Sequence, residues 1–305
     1  MRRSLTSGAS ERGFIVIAVL WILAALSALV LIYLTFVTNA AVVVAGSADR
    51  VQSEALVSAG VELAVFRLAG RNEETRPTSG TFSARVGAGR VFVTFRSEAS
   101  RVDLNAAPKS LLAGLMTGLG VGSANADVYA DRIIAWRSPT ELGDNDPENS
   151  FYRTSGSAYL PRHAPFPSTE ELWLVRGIPP AVVERMLPLV TVFSNVEGIN
   201  VRDAAPQVLA ALPNMTPETL QSVLSQRDDP TLDRRALVRM AGGDGATLEG
   251  SRAYRISVDA ELPGGRRSAA EVVVLLLESG AEPYRVLSWR NGSDGSTTPQ
   301  RVSSR

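Results

Sequence analysis

An uncharged apolar run from Phe14 to Val37, 24 residues long, limits what this chain can become more than any other feature. Only Ser27, Tyr33 and Thr35 interrupt it. As a helix it spans roughly 36 Å, enough for a bilayer with some tilt. A secretory h-region is shorter, typically ~7–15 residues, and ends at a small-residue cleavage site. The stretch Val44-Ala45-Gly46-Ser47-Ala48 imitates such a site but lies beyond a full span. Arg2, Arg3 and Arg12 precede the run with only Glu11 opposing them, which favours a cytoplasmic N-terminus and a translocated remainder. Three fates fit this pattern: a removed signal peptide, a retained anchor, or a segment cut after Gly13 and kept.

Composition narrows the function classes. The 305 residues leave room for about two domains. Charge balances at 31 against 31, and Lys109 is the single lysine, so binding to nucleic acid by counterion release is disfavoured. There is no cysteine, hence no disulfide, thiolate nucleophile or Cys-based zinc site. The one histidine, His163, sits in the proline-rich loop "YLPRHAPFP", and neither a Gly-x-Ser-x-Gly elbow nor a Walker loop accompanies it. No enzyme is expected.

The hydropathy period divides the rest. Val51, Ala55, Ala59, Leu63 and Phe66 recur every three to four residues, so the N-terminal helix continues to about residue 70, membrane-spanning in 14–37 and amphipathic beyond. From Thr81 to Ser100 the period becomes two, and Gly87-Ala88-Gly89 turns a hairpin. Strand patterns return only at Ala253–Leu262, Ala269–Ser279 and Pro283–Arg290. Pieces this small need one another, so residues 71–100 and 236–290 are expected to build one antiparallel sheet packed on the N-terminal helix. The stretch 101–235 is then an inserted helical domain, giving an α+β chain. Residues 291–305 have almost nothing to bury and read as a disordered tail.

The insert repeats itself. "VDLNAAPKSLLAGL" (Val102–Leu115) and "INVRDAAPQVLAAL" (Ile199–Leu212) both run from an apolar-polar strip through Ala-Pro into a Leu-rich helix. Pro108 and Pro206 sit where a first turn tolerates a missing N–H. A third unit, Ser168–Leu187, opens with a Ser168…Glu171 capping box and turns at Gly177-Ile178-Pro179-Pro180. These units resemble helix-hairpin-helix and SAM-like modules, some of which present hairpin amides to DNA phosphate. Only the first retains hairpin glycines, Gly118, Gly120 and Gly122. Packing scaffold is the better reading, and the alternative is a helix-hairpin-helix DNA-binding membrane protein of competence type. A separate loop, "ELGDNDPENSFY", gathers Glu141, Asp144, Asp146, Glu148 and Asn149, which reads either as oxygen ligands for calcium or as a solvated acidic turn.

Arg12-Gly13-Phe14 ahead of an apolar helix resembles the class III leader of type IV pilins and pseudopilins. In that class a membrane peptidase cuts after the glycine and methylates the new N-terminus, here Phe14, leaving 1–13 as the leader. The whole arrangement resembles the general secretion pathway protein K family, the large minor pseudopilin of type II secretion systems. Its markers here are Val102–Leu115, Glu170-Glu171-Leu172 with Arg176-Gly177-Ile178, Gly198-Ile199-Asn200-Val201 and Tyr284–Trp289. The resemblance implies a pilin-like helix-on-sheet fold with the helical SAM-like domain inserted between strands. It further implies a single-pass protein of the bacterial inner membrane with a periplasmic head, partnered by the minor pseudopilins I, J and H and by the prepilin peptidase, with no nucleic acid. Counting from Phe14, position five is Ala18, where most pilin-like proteins carry Glu. The resemblance also favours calcium, with Asp144, Asp146, Glu148 and Asn149 as ligands. The chain departs from the family's acidic strip after Trp136, where Arg137 and Ser138 follow.

Overall fold

The computed structural model describes residues 10–141, 143–229, 233–262, 265–279 and 282–292, without the side chains of residues 10–15, 37–49, 74, 144 and 234. The chain divides into two units, Met1–Ala55 and Leu56–Arg305. Helix α1 (Ser10–Ala69) begins in the first and ends in the second. Among the described residues it is the one helix long and apolar enough to cross a membrane, over Val16–Phe36, and its side chains there are not buried by the protein. The leader stretch 1–9 lies outside the described residues.

In the second unit α1 leads to a hairpin, β1 (Ser79–Val86) and β2 (Gly89–Ser97), turned at Gly87 with φ of 58°. The chain then leaves the sheet. It forms two short parallel strand pairs, β3 (Val102–Asp103) with β4 (Val190–Thr191) and β5 (Ile199–Asn200) with β6 (Ala246–Thr247). Around them lie α2 (Lys109–Gly118), α3 (Ser123–Arg137), α4 (Pro147–Thr154), α5 (Pro180–Met186), α6 (Pro206–Leu209), α7 (Pro217–Gln226) and α8 (Arg234–Met240). It returns as β7 (Ala253–Glu261), β8 (Arg267–Leu276) and β9 (Tyr284–Asn291), completing an antiparallel sheet of order β1-β2-β7-β8-β9.

The insert therefore occupies 98–252 rather than 101–235. Residues 236–252 belong to it and not to the sheet, because α8 and the β5–β6 pair complete its packing before Ala253 rejoins β2 and β8. Of the expected tail, Asn291 ends β9 and Gly292 bonds Ala269, while 293–305 lie outside the described residues.

Alternation builds the sheet layer. Along β2 every second residue is buried, so Val91, Val93 and Phe95 face α1 while Phe92, Thr94 and Arg96 face away. Tyr254, Ile256 and Val258 of β7 and Val272 and Val274 of β8 join the same side. The face of α1 that meets them is Leu56, Val57, Val61, Ala64, Val65 and Leu68. This corrects the sequence reading, whose stripe ran through Ala59, Leu63 and Phe66: Leu63 touches only the edge of the core, and Phe66 is 79% exposed. Gly60 brings the helix in close, since a Cβ there would meet Val258 Cγ1 at 2.6 Å. Tyr284 on β9 donates to Glu62 Oε1 at 2.6 Å, a bond that with burial pushes the phenol up to about 12.

The insert has its own core, held by buried polar residues at strand ends. Asp103 is 1% exposed: its Oδ1 accepts from Asn105 N at 2.7 Å, and its Oδ2 accepts from Ser194 Oγ and Asn195 N, both at 2.8 Å. Asn200 stands at the matching place in the second repeat. Its Oδ1 accepts from Arg202 N at 3.0 Å, and its amide donates to the carbonyls of Leu248 and Glu249. The repeated sequence is thus a repeated device, in which a parallel strand pair ends in an Asx turn and a proline-started helix follows. The expected Ser168…Glu171 capping box does not form. Ser168 caps nothing with its side chain, because Glu171 is taken by Trp136 Nε1 at 3.2 Å and by Arg162, and Thr169–Leu174 coils as a 3-10 helix.

Candidate assembly face and acidic loop

Backbone hydrogen bonding leaves α1 with apolar residues on two sides. One side is consumed by the sheet. On the other, Ala59 and Leu63 are half-buried and Phe66 is open, while Arg67 folds back over the Phe82 ring at 3.8 Å. Phe66 thus contributes nothing to the core that the other side of the helix builds. Earlier on α1, Gly13 and Phe14 are helical in backbone, and their surroundings lie outside the described side chains. Ala18 is part of the same helix and partly covered. No charged group stands at that position.

The acidic loop is built around the start of α4. Asp146 is its N-cap, accepting from Glu148 N at 2.8 Å and Asn149 N at 3.3 Å. A hydrogen bond from Thr140, then these amides, hold its carboxyl below the ordinary value against the opposing effect of burial. Glu148 pairs with Arg132 at 3.2 Å, yet burial outweighs the pairing and raises its pKa. Asn149 donates to Gly143 O at 2.9 Å, and its Oδ1 lies 3.0 Å from His163 Nε2. Arg132 also stacks on the Phe151 ring, 3.5 Å from its centroid. The Asp144 side chain lies outside the described residues.

Among the described residues, the loop's predicted ligands are engaged with protein partners. Asp146, Glu148 and Asn149 are close in space, but their oxygens already serve a helix cap, an ion pair and a histidine contact. Among the described residues no group of three or more His, Cys, Asp or Glu converges on a cation position. A calcium site takes six to eight oxygens, carbonyls and waters included, so these three side chains with their present partners do not make one alone. Sequence reading missed Arg132, and did not connect His163 to this loop, because both lie on other elements.

The first hairpin of the insert is equally self-contained. The amides of Leu119, Gly120 and Val121 donate to carbonyls of α2, and Arg185 donates to Leu119 O. Those amides are not free to grip a phosphate.

Comparison with known proteins follows the same outline. Residues 95–195 match the family described as type II secretion system (T2SS), protein K. That segment closes on itself, since Glu98 bonds Thr191 and Asp103 bonds Ser194 and Asn195. No curated protein matches the chain. A chain in the crystal structure of the GspK-GspI-GspJ complex from the enterotoxigenic Escherichia coli type 2 secretion system has a similar fold, with TM-score 0.57 and 18% identity over 82% of this chain and 99% of that one. Residues 95–195 are thus similar to the protein K family of type II secretion, within a fold like that of the chain from the GspK-GspI-GspJ complex.

Proposed function

We propose that this subunit caps the pseudopilus at its distal end, anchored before assembly in the inner membrane with its head in the periplasm. Prepilin peptidase cuts after Gly13 and Phe14 becomes the methylated first residue. Ala18 carries the capping argument. In pilin-like subunits a glutamate five residues in neutralises the amino terminus of the neighbour above, because lone charges in apolar surroundings are costly. A subunit with nothing above it has no amine to pair, and an alanine there avoids a buried unpaired charge. The insert across 98–252 supports the same reading, since such bulk obstructs a subunit stacked on top.

The minor pseudopilins I and J are the proposed neighbours, as in the complex of the similar structure. The outward residues Leu63 and Phe66 supply an apolar contact for a neighbouring helix. The role is structural, and no step of covalent chemistry is assigned. Overproducing this subunit alone should add no length to pseudopili, and longer filaments would overturn the cap. Intact mass of the native protein should give a chain beginning at methylated Phe14, and a chain retaining Arg2 and Arg3 would contradict the processing.

A further inference from the structure

On the sheet face away from α1, a cavity of about 190 Å³ lies between β2, β7 and β8 and the insert residues Pro188, Leu189 and Val208. Its charges do not pair off evenly. Arg255 takes both acids: Nε and Nη2 bond the two oxygens of Glu98 at 2.8 and 3.1 Å, and Nη1 bonds Glu271. Thr191 also donates to Glu98, which is 1% exposed. Arg96 and Arg101 remain. Among the described residues neither guanidinium makes a hydrogen bond or ion pair, and neither do the hydroxyls of Thr94 and Ser257 that line the same cavity.

This surplus is unfavourable as it stands. Arg96 lies directly opposite Arg255 in the β2–β7 register, and like charges facing each other across a strand pair destabilise a sheet. Burial, and then the neighbouring Arg255, lower the pKa of Arg101 against the weaker pull of Glu98 and Glu271. A guanidinium offers a planar fork of donors matched to two oxygens of one anion. Two such forks and two hydroxyls at the rim of a small cavity form a receptor for negative charge.

We propose that this cavity binds a compact oxyanion, a phosphate, sulfate or carboxylate group, between Arg101 and Arg96 with Thr94 and Ser257 as added donors. Binding would neutralise the surplus charge where the insert joins the sheet, and so fasten the two layers together. The ligand stabilises the protein by mass action.

The test is thermal unfolding of the full chain in a neutral detergent, titrated with sodium phosphate, sulfate or acetate against chloride at matched ionic strength. At least one oxyanion should raise the melting temperature with a saturating dose response that chloride does not reproduce. A response to acetate alone assigns a carboxylate, and a response to phosphate or sulfate assigns a tetrahedral anion. Arg101→Gln should abolish the response. Arg96→Gln, at an exposed position, should weaken it by roughly tenfold, the loss expected for one charge-assisted hydrogen bond, and carries the test if the first variant does not fold. Equal response to chloride, or an oxyanion response unchanged in the variants, would overturn the site.

Discussion

The sheet layer and the insert both exclude water from a core, but they hold their cores by different means. In the sheet layer the alternation along β2 and β7, with Val272 and Val274 of β8, supplies the apolar face, ladder hydrogen bonds close the backbone, and α1 covers one side. The insert has helices of 4 to 15 residues and strands of two. Short elements leave many backbone groups at their ends, so buried Asp103 and Asn200 and half-buried Asn105 hydrogen-bond the loops instead. A core held by periodicity distributes its stability over many side chains. One held by a few polar residues concentrates it.

The sharpest way to break this contrast is Asp103→Ala. It leaves Asn105 N, Ser194 Oγ and Asn195 N without their acceptor, so a loss of about 3–4 kcal/mol is expected in thermal or chemical unfolding. A loss below about 1 kcal/mol would mean the insert does not depend on its Asx turns. Next in size are two glycines, one in each region. A Cβ on Gly114 would meet the backbone oxygen of Ala211 at 2.2 Å, which cannot rotate away, whereas a Cβ on Gly60 meets the side chains of Val258 and Val93. Gly114→Ala should cost about 2–3 kcal/mol and Gly60→Ala about 1 kcal/mol, and the reverse order would contradict the contrast.

Smaller still is Asp146→Ala, the loss of an N-cap, at about 1 kcal/mol near neutral pH. The carboxyl of Asp146 is held below its ordinary value. Its contribution is therefore complete above that ordinary value and disappears as pH falls through the folded one. The difference between wild type and variant should accordingly shrink below about pH 4. The smallest expected effect is that of calcium, since Asp146, Glu148 and Asn149 each already engage a protein partner. Millimolar calcium should leave the melting temperature within about 1 °C of its value in chelator. A larger rise, lost in Asp144→Ala, would locate a cation on that carboxylate instead.

The same contrast decides what was legible beforehand. Strands β2 and β7 stand out in the sequence by their two-residue period, while β8 is marked by its short β-branched run between turn residues. Helix α1 stands out too, but not its buried side. Leu56, Val61 and Leu68 and the run Ala59, Leu63, Phe66 both recur at helical spacing, and only the sheet's shape selects between them. The insert repeat is visible as a pattern, while its meaning lies in bonds between residues about 90 positions apart, such as Asp103 with Ser194. Glu98 and Arg255 are 157 positions apart, and nothing local marks them as partners. In the acidic loop the residue types are those of a cation site. Their actual partners, Arg132, Thr140 and His163, come from outside it.

Location tests the central claim most directly. A single fluorescent or gold label on the head of this subunit, imaged on pseudopili assembled with the full set of pseudopilins, should give one signal per filament, at the distal end. Signals repeating along the shaft would contradict the cap, whatever the fold resembles.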